Sequence, residues 1–238
     1  RAGLISTTLT PAMATALFDM DGTLFAGDSQ LRFCRWILRR HGWRRLHVLA
    51  LLPAALLAPL CGGGKFLKRA FLTYAWGLRR ELLEKECRAF VQEELIPALY
   101  PDVLARLRAH QAAGDTTVLC SASPEWWARE MGAALGFTYT IATPVEIGER
   151  VPLFPRITPP GNNKGQNKVT RLAALGFTHA DVGYTDSTAD LPMLSLCDRT
   201  VLINPNDKLV AACPQGEVLR PAHHLRTLSF LIGGMLGI

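Results

Sequence analysis

Ala14-Thr-Ala-Leu-Phe-Asp-Met-Asp-Gly-Thr-Leu24 is the stretch on which the reading of this chain turns. Ala14 to Phe18 is a short apolar run, suited to a buried strand, and it ends in polar residues delivered at the strand's C-terminal end. Asp19 and Asp21 stand two apart, so in extended backbone both carboxylates lie on one side of that end. Ligands of open α/β sheets bind at this edge. Gly22 permits a sharp turn out of the strand, and the Thr23 hydroxyl can hold Asp21 by a local hydrogen bond. Alone, the pattern says little, because Asp and Gly are ordinary turn residues.

Working outward, the 238 residues, 49% of them apolar, suffice for one full core and a smaller second unit. From Pro101 the chain alternates: a helix (Asp102 to Ala113), a strand (Thr116 to Cys120) entering Ser-Ala-Ser-Pro, and a helix (Glu125 to Leu135). Tyr139 to Phe154 reads as a short antiparallel excursion, and Lys164 to Ala174 as a further helix. Asp181 to Tyr184 is a strand entering Thr-Asp-Ser-Thr-Ala-Asp, and Thr200 to Ile203 a last short strand. Helix alternating with strand predicts a Rossmann-like, doubly wound parallel sheet. Residues 29–97 lack strand alternation and are rich in Leu, Ala, Arg and Glu, so they predict an inserted α-helical cap. The expected division is a catalytic core of 13–28 with 98–215, a cap of 29–97, and a C-terminal tail or helix of 216–238.

Polar clusters arrive at the ends of later elements: Ser121 after a strand, Lys168 near a helix start, and Asp186 with Asp190 after a strand. With Asp19 and Asp21 they comprise a nucleophile, an acid, metal ligands, a hydroxyl donor and a cation, the parts needed to handle a phosphate dianion. A hard cation such as Mg²⁺ takes few carboxylates plus water and substrate oxygens.

Four segments in order, Phe18 to Leu24, Val118 to Pro124, Gly165-Gln-Asn-Lys168-Val, and Gly183 to Leu194, resemble the four motifs of the haloacid dehalogenase superfamily. The resemblance is to the branch with a helical cap between the first two motifs, which includes phosphoserine phosphatase. It implies that Asp19 is a nucleophile forming an aspartyl-phosphate and that Asp21 protonates the leaving oxygen, then activates water. It implies Mg²⁺ held by Asp19, the Asp21 backbone carbonyl and Asp186. Ser121 and Lys168 would contact the phosphate, with Ala122 and Asp28 among the substrate contacts and Thr23 and Asp190 behind them. Lys164 competes with Lys168, but the family places its lysine three residues after the glycine, here Gly165. The chain departs from the pattern at Ala189, where many members carry asparagine.

The insert raises the question of substrate. Residues 29–97 hold thirteen Lys and Arg against five Asp and Glu, so they carry +8 and the remainder −2. Such an excess attracts nucleic acid, anionic lipid or a phosphorylated substrate. No recognisable nucleic-acid module accompanies it, so no nucleic-acid partner is expected. Val48 to Cys61 is an apolar run of fourteen residues, too short to span a bilayer as one helix, and it follows Arg35-Trp36, Arg39-Arg40 and Trp43-Arg44-Arg45. A basic and aromatic flank beside an apolar segment suits an interfacial element. With the Lys65 to Arg69 segment, the cap resembles that of the superfamily's bacterial phosphatidylglycerophosphatase, which implies a lipid phosphate and peripheral contact with the cytoplasmic face of the inner membrane. A soluble small-metabolite phosphatase of the phosphoserine type is the alternative, and Asp28, nine residues after Asp19, matches a cap-hinge acid of that enzyme. A non-catalytic membrane-surface binding protein is the reading from another class. Six cysteines without a C-x-x-C pair predict a reduced, cytoplasmic protein without a zinc site. Arg1 to Ala12 is expected to be a loose tail, with Met13 a candidate natural start.

Overall fold

The structure, a computed structural model, describes residues 13–46 and 72–221. Its centre is a six-stranded, all-parallel sheet built from β1 (Thr15–Phe18), β2 (Thr116–Pro124), β3 (Tyr139–Thr143), β6 (Ala180–Thr185), β7 (Cys197–Ile203) and β8 (Glu217–Leu219). The spatial order is β3-β2-β1-β6-β7-β8. The chain therefore builds outward from β1 in one direction, then returns to its other side with β6. The crevice between β1 and β6 is the switch point of a doubly wound sheet, where ligands bind.

Alternation along β1 explains why both faces must be covered. Leu17 faces one buried cluster, with Val118, Leu172, Met193 and Leu202, while Ala16 and Phe18 face the other. Each fully buried Leu or Phe contributes roughly 1.5–3 kcal/mol, so the strand is held from both sides. The covering helices are α3 (Pro101–Ala113), α4 (Glu125–Leu135), α5 (Gln166–Ala174) and two short ones, α6 (Leu191–Leu194) and α7 (Asp207–Ala212). Helices α3 and α4 both stop on glycines in the left-handed region, Gly114 and Gly136.

Two expectations need correction. Tyr139–Thr143 is not part of an antiparallel excursion; it pairs parallel with β2, and only β4 (Val145–Glu146) and β5 (Arg156–Ile157) form the antiparallel pair. Thr200 to Ile203 is not the end of the sheet, because Glu217–Leu219, expected in a tail or helix, adds a parallel edge strand.

Between β1 and α3 lies the helical insert. Its described parts are α1 (Ser29–Arg40), a 3₁₀ turn (Leu72–Ala75) and α2 (Arg80–Phe90), which runs through a π turn (Val91–Leu95) into a second 3₁₀ turn (Ile96–Ala98). The ring of Phe33 packs 5.0 Å from Phe90 and 4.7 Å from Trp127 of α4, centre to centre, so the insert is seated on the sheet domain by an aromatic cluster.

Three of the insert's arginines are engaged within it. Arg39 pairs with Glu94 at 3.2 Å, and Arg40 pairs with buried Glu86 at 2.8 Å. Arg44 is buried and donates to the carbonyls of Tyr74 and Trp76, while Trp36 is buried and donates to Glu86. Of the aromatic flank, Trp43 is exposed, as is Leu46. The apolar run 48–61, the basic segment 65–69, and His223 and His224 lie outside the described residues. Among the described residues no helix is long and apolar enough to cross a membrane. The five described cysteines are free thiols.

Candidate active site

Asp19 is the first residue beyond β1, and its N–H donates to the Tyr184 carbonyl of β6 at 3.0 Å. That bond carries the sheet ladder one step past the strand and sets the Asp19 side chain in the crevice between β1 and β6. The chain then turns at Gly22, whose φ is +80°. A Cβ at Gly22 would lie 2.0 Å from Asp186 Oδ2, so both the conformation and the close approach of Asp186 require glycine. Thr23 is buried, with its hydroxyl 3.3 Å from Asp19 Oδ2 and 3.4 Å from Asp186 Oδ1. The expected Thr23 bond to Asp21 is replaced by these contacts. Its one hydrogen can serve either carboxylate, and its oxygen stands between them.

Lys168 enters from the first turn of α5 and is almost fully buried. Its Nζ lies 2.7 Å from Asp19 Oδ1 and 2.8 Å from Asp190 Oδ1. Asp190 is itself fixed by the Thr185 hydroxyl, which donates to Oδ2 at 2.8 Å. Lys164 is exposed. The helix start at Gln166 separates the two lysines: one turn in, Lys168 faces the sheet, while Lys164 remains in the preceding loop.

Ser121 lies in β2, which stays extended through Ser-Ala-Ser-Pro to Pro124. Its oxygen accepts the Ser123 N–H at 2.9 Å, so its hydroxyl hydrogen is left to point elsewhere. A latch that sequence reasoning missed holds this segment. Thr143 donates toward the Ala122 carbonyl at 2.7 Å, and Asn163 donates to the carbonyls of Ser121 at 2.9 Å and Ile141 at 3.1 Å. The Asn163 N–H returns to Thr143 Oγ1. Asn-Asn before the Lys168 helix was the available signal.

Asp21 is engaged on both oxygens. The Ser29 N–H donates to Oδ1 and the Ser123 hydroxyl to Oδ2, each at 2.6 Å. Asp28 caps α1 through Oδ1, which accepts the N–H groups of Gln30 and Leu31 at 2.7 and 3.0 Å. The sequence expectation for Asp28 was substrate contact; its observed partners are these helix N–H groups.

The electrostatics follow from burial. Asp19 is pushed up to about 7, chiefly by desolvation, against the pull of Lys168 and with the push of Asp190. Asp186 is pushed up to about 6 and Asp21 is raised, again chiefly by burial. For Lys168, burial opposes the charge, but the two adjacent carboxylates outweigh it and its pKa is raised. The directions for Asp19 and Lys168 pull against each other; the close contacts to both carboxylates argue for a charged ammonium, with the strain falling on the acids.

One ammonium among Asp19, Asp21, Asp186 and Asp190 leaves the crevice short of positive charge, which is the condition a divalent cation relieves. Among the described residues no three His, Cys, Asp or Glu side chains are grouped to bind a metal by themselves. The donor set fits an ion that takes two carboxylates, Asp19 and Asp186, a backbone carbonyl and otherwise water, which is the habit of Mg²⁺.

Known proteins resemble this chain in sequence and in fold. Residues 16–195 match the sequence profile of the haloacid dehalogenase-like hydrolases. Histidinol-phosphatase of Neisseria meningitidis is 33% identical over 157 residues, covering 60% of this chain and 68% of the relative. Phosphoserine phosphatase SerB1 of Mycobacterium tuberculosis is 28% identical over 209 residues, covering 82% of this chain and 66% of the relative. A crystal structure of a protein of unknown function from Bordetella pertussis superimposes with a TM-score of 0.70 at 22% identity, over 88% of this chain and 99% of that one.

Proposed function

The chain belongs to the haloacid dehalogenase-like hydrolases and is a phosphatase of that family, and we propose that it hydrolyses small phosphomonoesters through an aspartyl-phosphate on Asp19. The observation that carries the reading is the Lys168 ammonium clamped between Asp19 and Asp190 in the crevice between β1 and β6. In this reading a carboxylate oxygen of Asp19 bonds to phosphorus as the bond to the leaving oxygen breaks. The leaving oxygen takes the proton of Asp21. Asp21 then takes a proton from water, whose oxygen attacks phosphorus, releases phosphate and restores Asp19. Lys168 and the Ser121 hydroxyl meet the charge that grows on the phosphoryl oxygens, with the Ala122 backbone beside them. Asp19, Asp186 and the Asp21 carbonyl would hold Mg²⁺, which would supply positive charge to offset repulsion between Asp19 and the phosphate dianion.

The relatives bearing a substrate name act on histidinol phosphate and phosphoserine, both small phosphomonoesters carrying an amino group. Asp28 sits at the N-terminus of α1 with its Oδ1 committed to the cap, and its second oxygen is what a substrate ammonium would meet. The lipid-phosphate expectation and the phosphatidylglycerophosphatase-like cap gain no support from these relatives, and two of the cap arginines invoked for a membrane surface are paired with glutamates while a third is buried. The test is a phosphate-release panel with Mg²⁺ containing phosphoserine, histidinol phosphate and phosphatidylglycerophosphate in vesicles. Turnover of the small amino phosphomonoesters is expected. Turnover of the lipid alone would overturn the reading.

A further inference from the structure

Tyr184 serves Asp19 twice. Its backbone carbonyl accepts the Asp19 N–H at 3.0 Å, and its ring stacks on Phe18, the residue before Asp19, with centres 4.2 Å apart and planes within 3°. The groups that hold the ring lie on the face of the sheet covered by α3. The Tyr184 hydroxyl is 2.9 Å from His110 Nε2, and His110 Nδ1 is 2.7 Å from Asp115 Oδ2. An ionised carboxylate can only accept, so the neutral imidazole carries its hydrogen on Nδ1 and Nε2 takes the hydrogen of Tyr184. Asp115 Oδ1 accepts the Ala14 N–H at 3.1 Å, and the Thr116 N–H donates to the Ala14 carbonyl at 2.8 Å. We infer that His110 and Asp115 are positioning residues of the reaction: they brace β1 at its entrance and, through Tyr184, fix the place at which β1 delivers Asp19 to the crevice.

This role rests on the reading of Asp19 as nucleophile. Strand β1 has only four residues, about 13 Å of extended chain, so a shift at its entrance is carried to Asp19. The entrance is fastened by side chains: beside the Asp115 bond to Ala14, Asp181 Oδ2 accepts the Thr15 N–H at 2.7 Å. Packing alone does not hold the Tyr184 ring. Phe18 fills one side, but between α3 and β6-β7-β8 lies a cavity of about 350 Å³, with Tyr184 and His110 in its wall beside Ala109, Val182, Arg199 and Val201. A cavity supplies no close packing, so the bond to His110 sets the tilt of the ring. Helix α3 presents His110 on the face that carries buried Val103 and Leu107, seven and three residues earlier. Asp115 follows the left-handed turn at Gly114, and its N–H returns to the His110 carbonyl at 3.0 Å, which sets the carboxylate beside the imidazole.

The test uses Tyr184→Phe, which keeps the stack on Phe18 and loses the hydroxyl, and His110→Phe, which keeps a ring beside Phe18 and loses both bonds. The substrate is 2,4-dinitrophenyl phosphate, whose leaving group departs as the anion, so a single turnover reports attack by Asp19 without the acid. Release of dinitrophenolate should slow by about threefold to tenfold in each variant, the size expected for one hydrogen bond, with the half-saturating concentration within about twofold. The double variant should be no slower than His110→Phe, because both changes remove the same bond. Amide hydrogen exchange without metal gives a second readout: the Asp19 N–H should exchange about threefold to tenfold faster in Tyr184→Phe, while the Met131 N–H of α4 keeps its rate. Tyr184→Phe carries the test if His110→Phe does not fold. Turnover of Tyr184→Phe within about twofold of wild type would overturn the inference, as would losses that multiply in the double variant. So would an Asp19 amide that quickens no more than that of Met131, the mark of a role in stability alone. Asp19→Asn is run alongside. If it releases dinitrophenolate at the wild-type rate, Asp19 is not the nucleophile and the functional reading fails; if it is inactive while Tyr184→Phe matches wild type, the positioning role alone fails.

Discussion

Replacing Lys168 by methionine keeps most of the length and the apolar stem of the side chain and removes the ammonium from between two buried carboxylates. The lost contacts are those at 2.7 Å to Asp19 and 2.8 Å to Asp190. Breaking a buried ion pair by removing one partner costs about 3–5 kcal/mol, because it leaves charge without compensation. The carboxylates can limit that cost by taking up a proton. Asp19 is the candidate, being already pushed from 3.8 to about 7 by burial with Lys168 in place, and without the ammonium it rises further. A carboxyl group raised in the folded state binds more protons there than in the unfolded chain, so its contribution is present below 3.8 and is lost as pH rises through the folded value. The stability deficit of Lys168→Met should therefore be smallest below about pH 7, where Asp19 is protonated in both proteins, and grow as pH rises above that value. Urea unfolding without metal measures it: at the alkaline end the midpoint should fall by up to about 1–2 M, for slopes of about 2–3 kcal/mol/M. Phosphate release should fall by about 10²–10³ in kcat, since growing phosphoryl charge loses its cation. Lys164→Met, altering an exposed residue, should change stability by no more than about 0.5 kcal/mol and leave turnover intact. Loss of activity in Lys164→Met with retention in Lys168→Met would refute the reasoning, as would a deficit for Lys168→Met that shrinks as pH rises.

Asp19→Asn should abolish phosphate release from every substrate while leaving the circular dichroism spectrum unchanged, since an amide cannot act as the nucleophile. Gly22→Ala should cost about 1–3 kcal/mol for the left-handed backbone alone, and because its Cβ would lie 2.0 Å from Asp186 Oδ2 it should also raise the Mg²⁺ concentration needed for half-maximal rate. Chelator should remove activity and Mg²⁺ restore it; a chelator-resistant rate in wild type would count against a metal in the crevice. Asn163→Leu removes donors from the Ser121 and Ile141 carbonyls and should cost about 1–3 kcal/mol in thermal or urea unfolding, with KM rising as Ser121 loosens.

The parallel α/β core was legible in the chain's alternation of helix and strand, and the motif resemblance named the side chains that the structure brings to the crevice. Asp19 and Asp21 follow a short apolar run, and Asp186 with Asp190 lies in a polar cluster after a predicted strand; a run that ends in polar residues marks the end of a strand however the strands are ordered. Lys168 was preferred over Lys164 because the family that the motifs resemble places its lysine three residues after the glycine, here Gly165; the structure sets Lys168 in the first turn of α5, with Lys164 in the preceding loop. Pairing partners were not legible, since alternation identifies a strand but carries nothing about its neighbour or direction. Hence Tyr139–Thr143 was read as antiparallel, and Glu217–Leu219, three residues long, was too short to show a pattern at all. The supports of the site belong to tertiary structure for the same reason. Ser29 and Ser123 are 94 residues apart in the chain, as Ser29 and Trp127 are 98, and only the docking of insert, strand and helix brings their hydrogen-bonding atoms within 3.0 Å. Tertiary structure also decided which insert arginines carry charge outward, because Glu86 and Glu94 stand 46 and 55 residues beyond Arg40 and Arg39, and composition counts charges without knowing which of them meet.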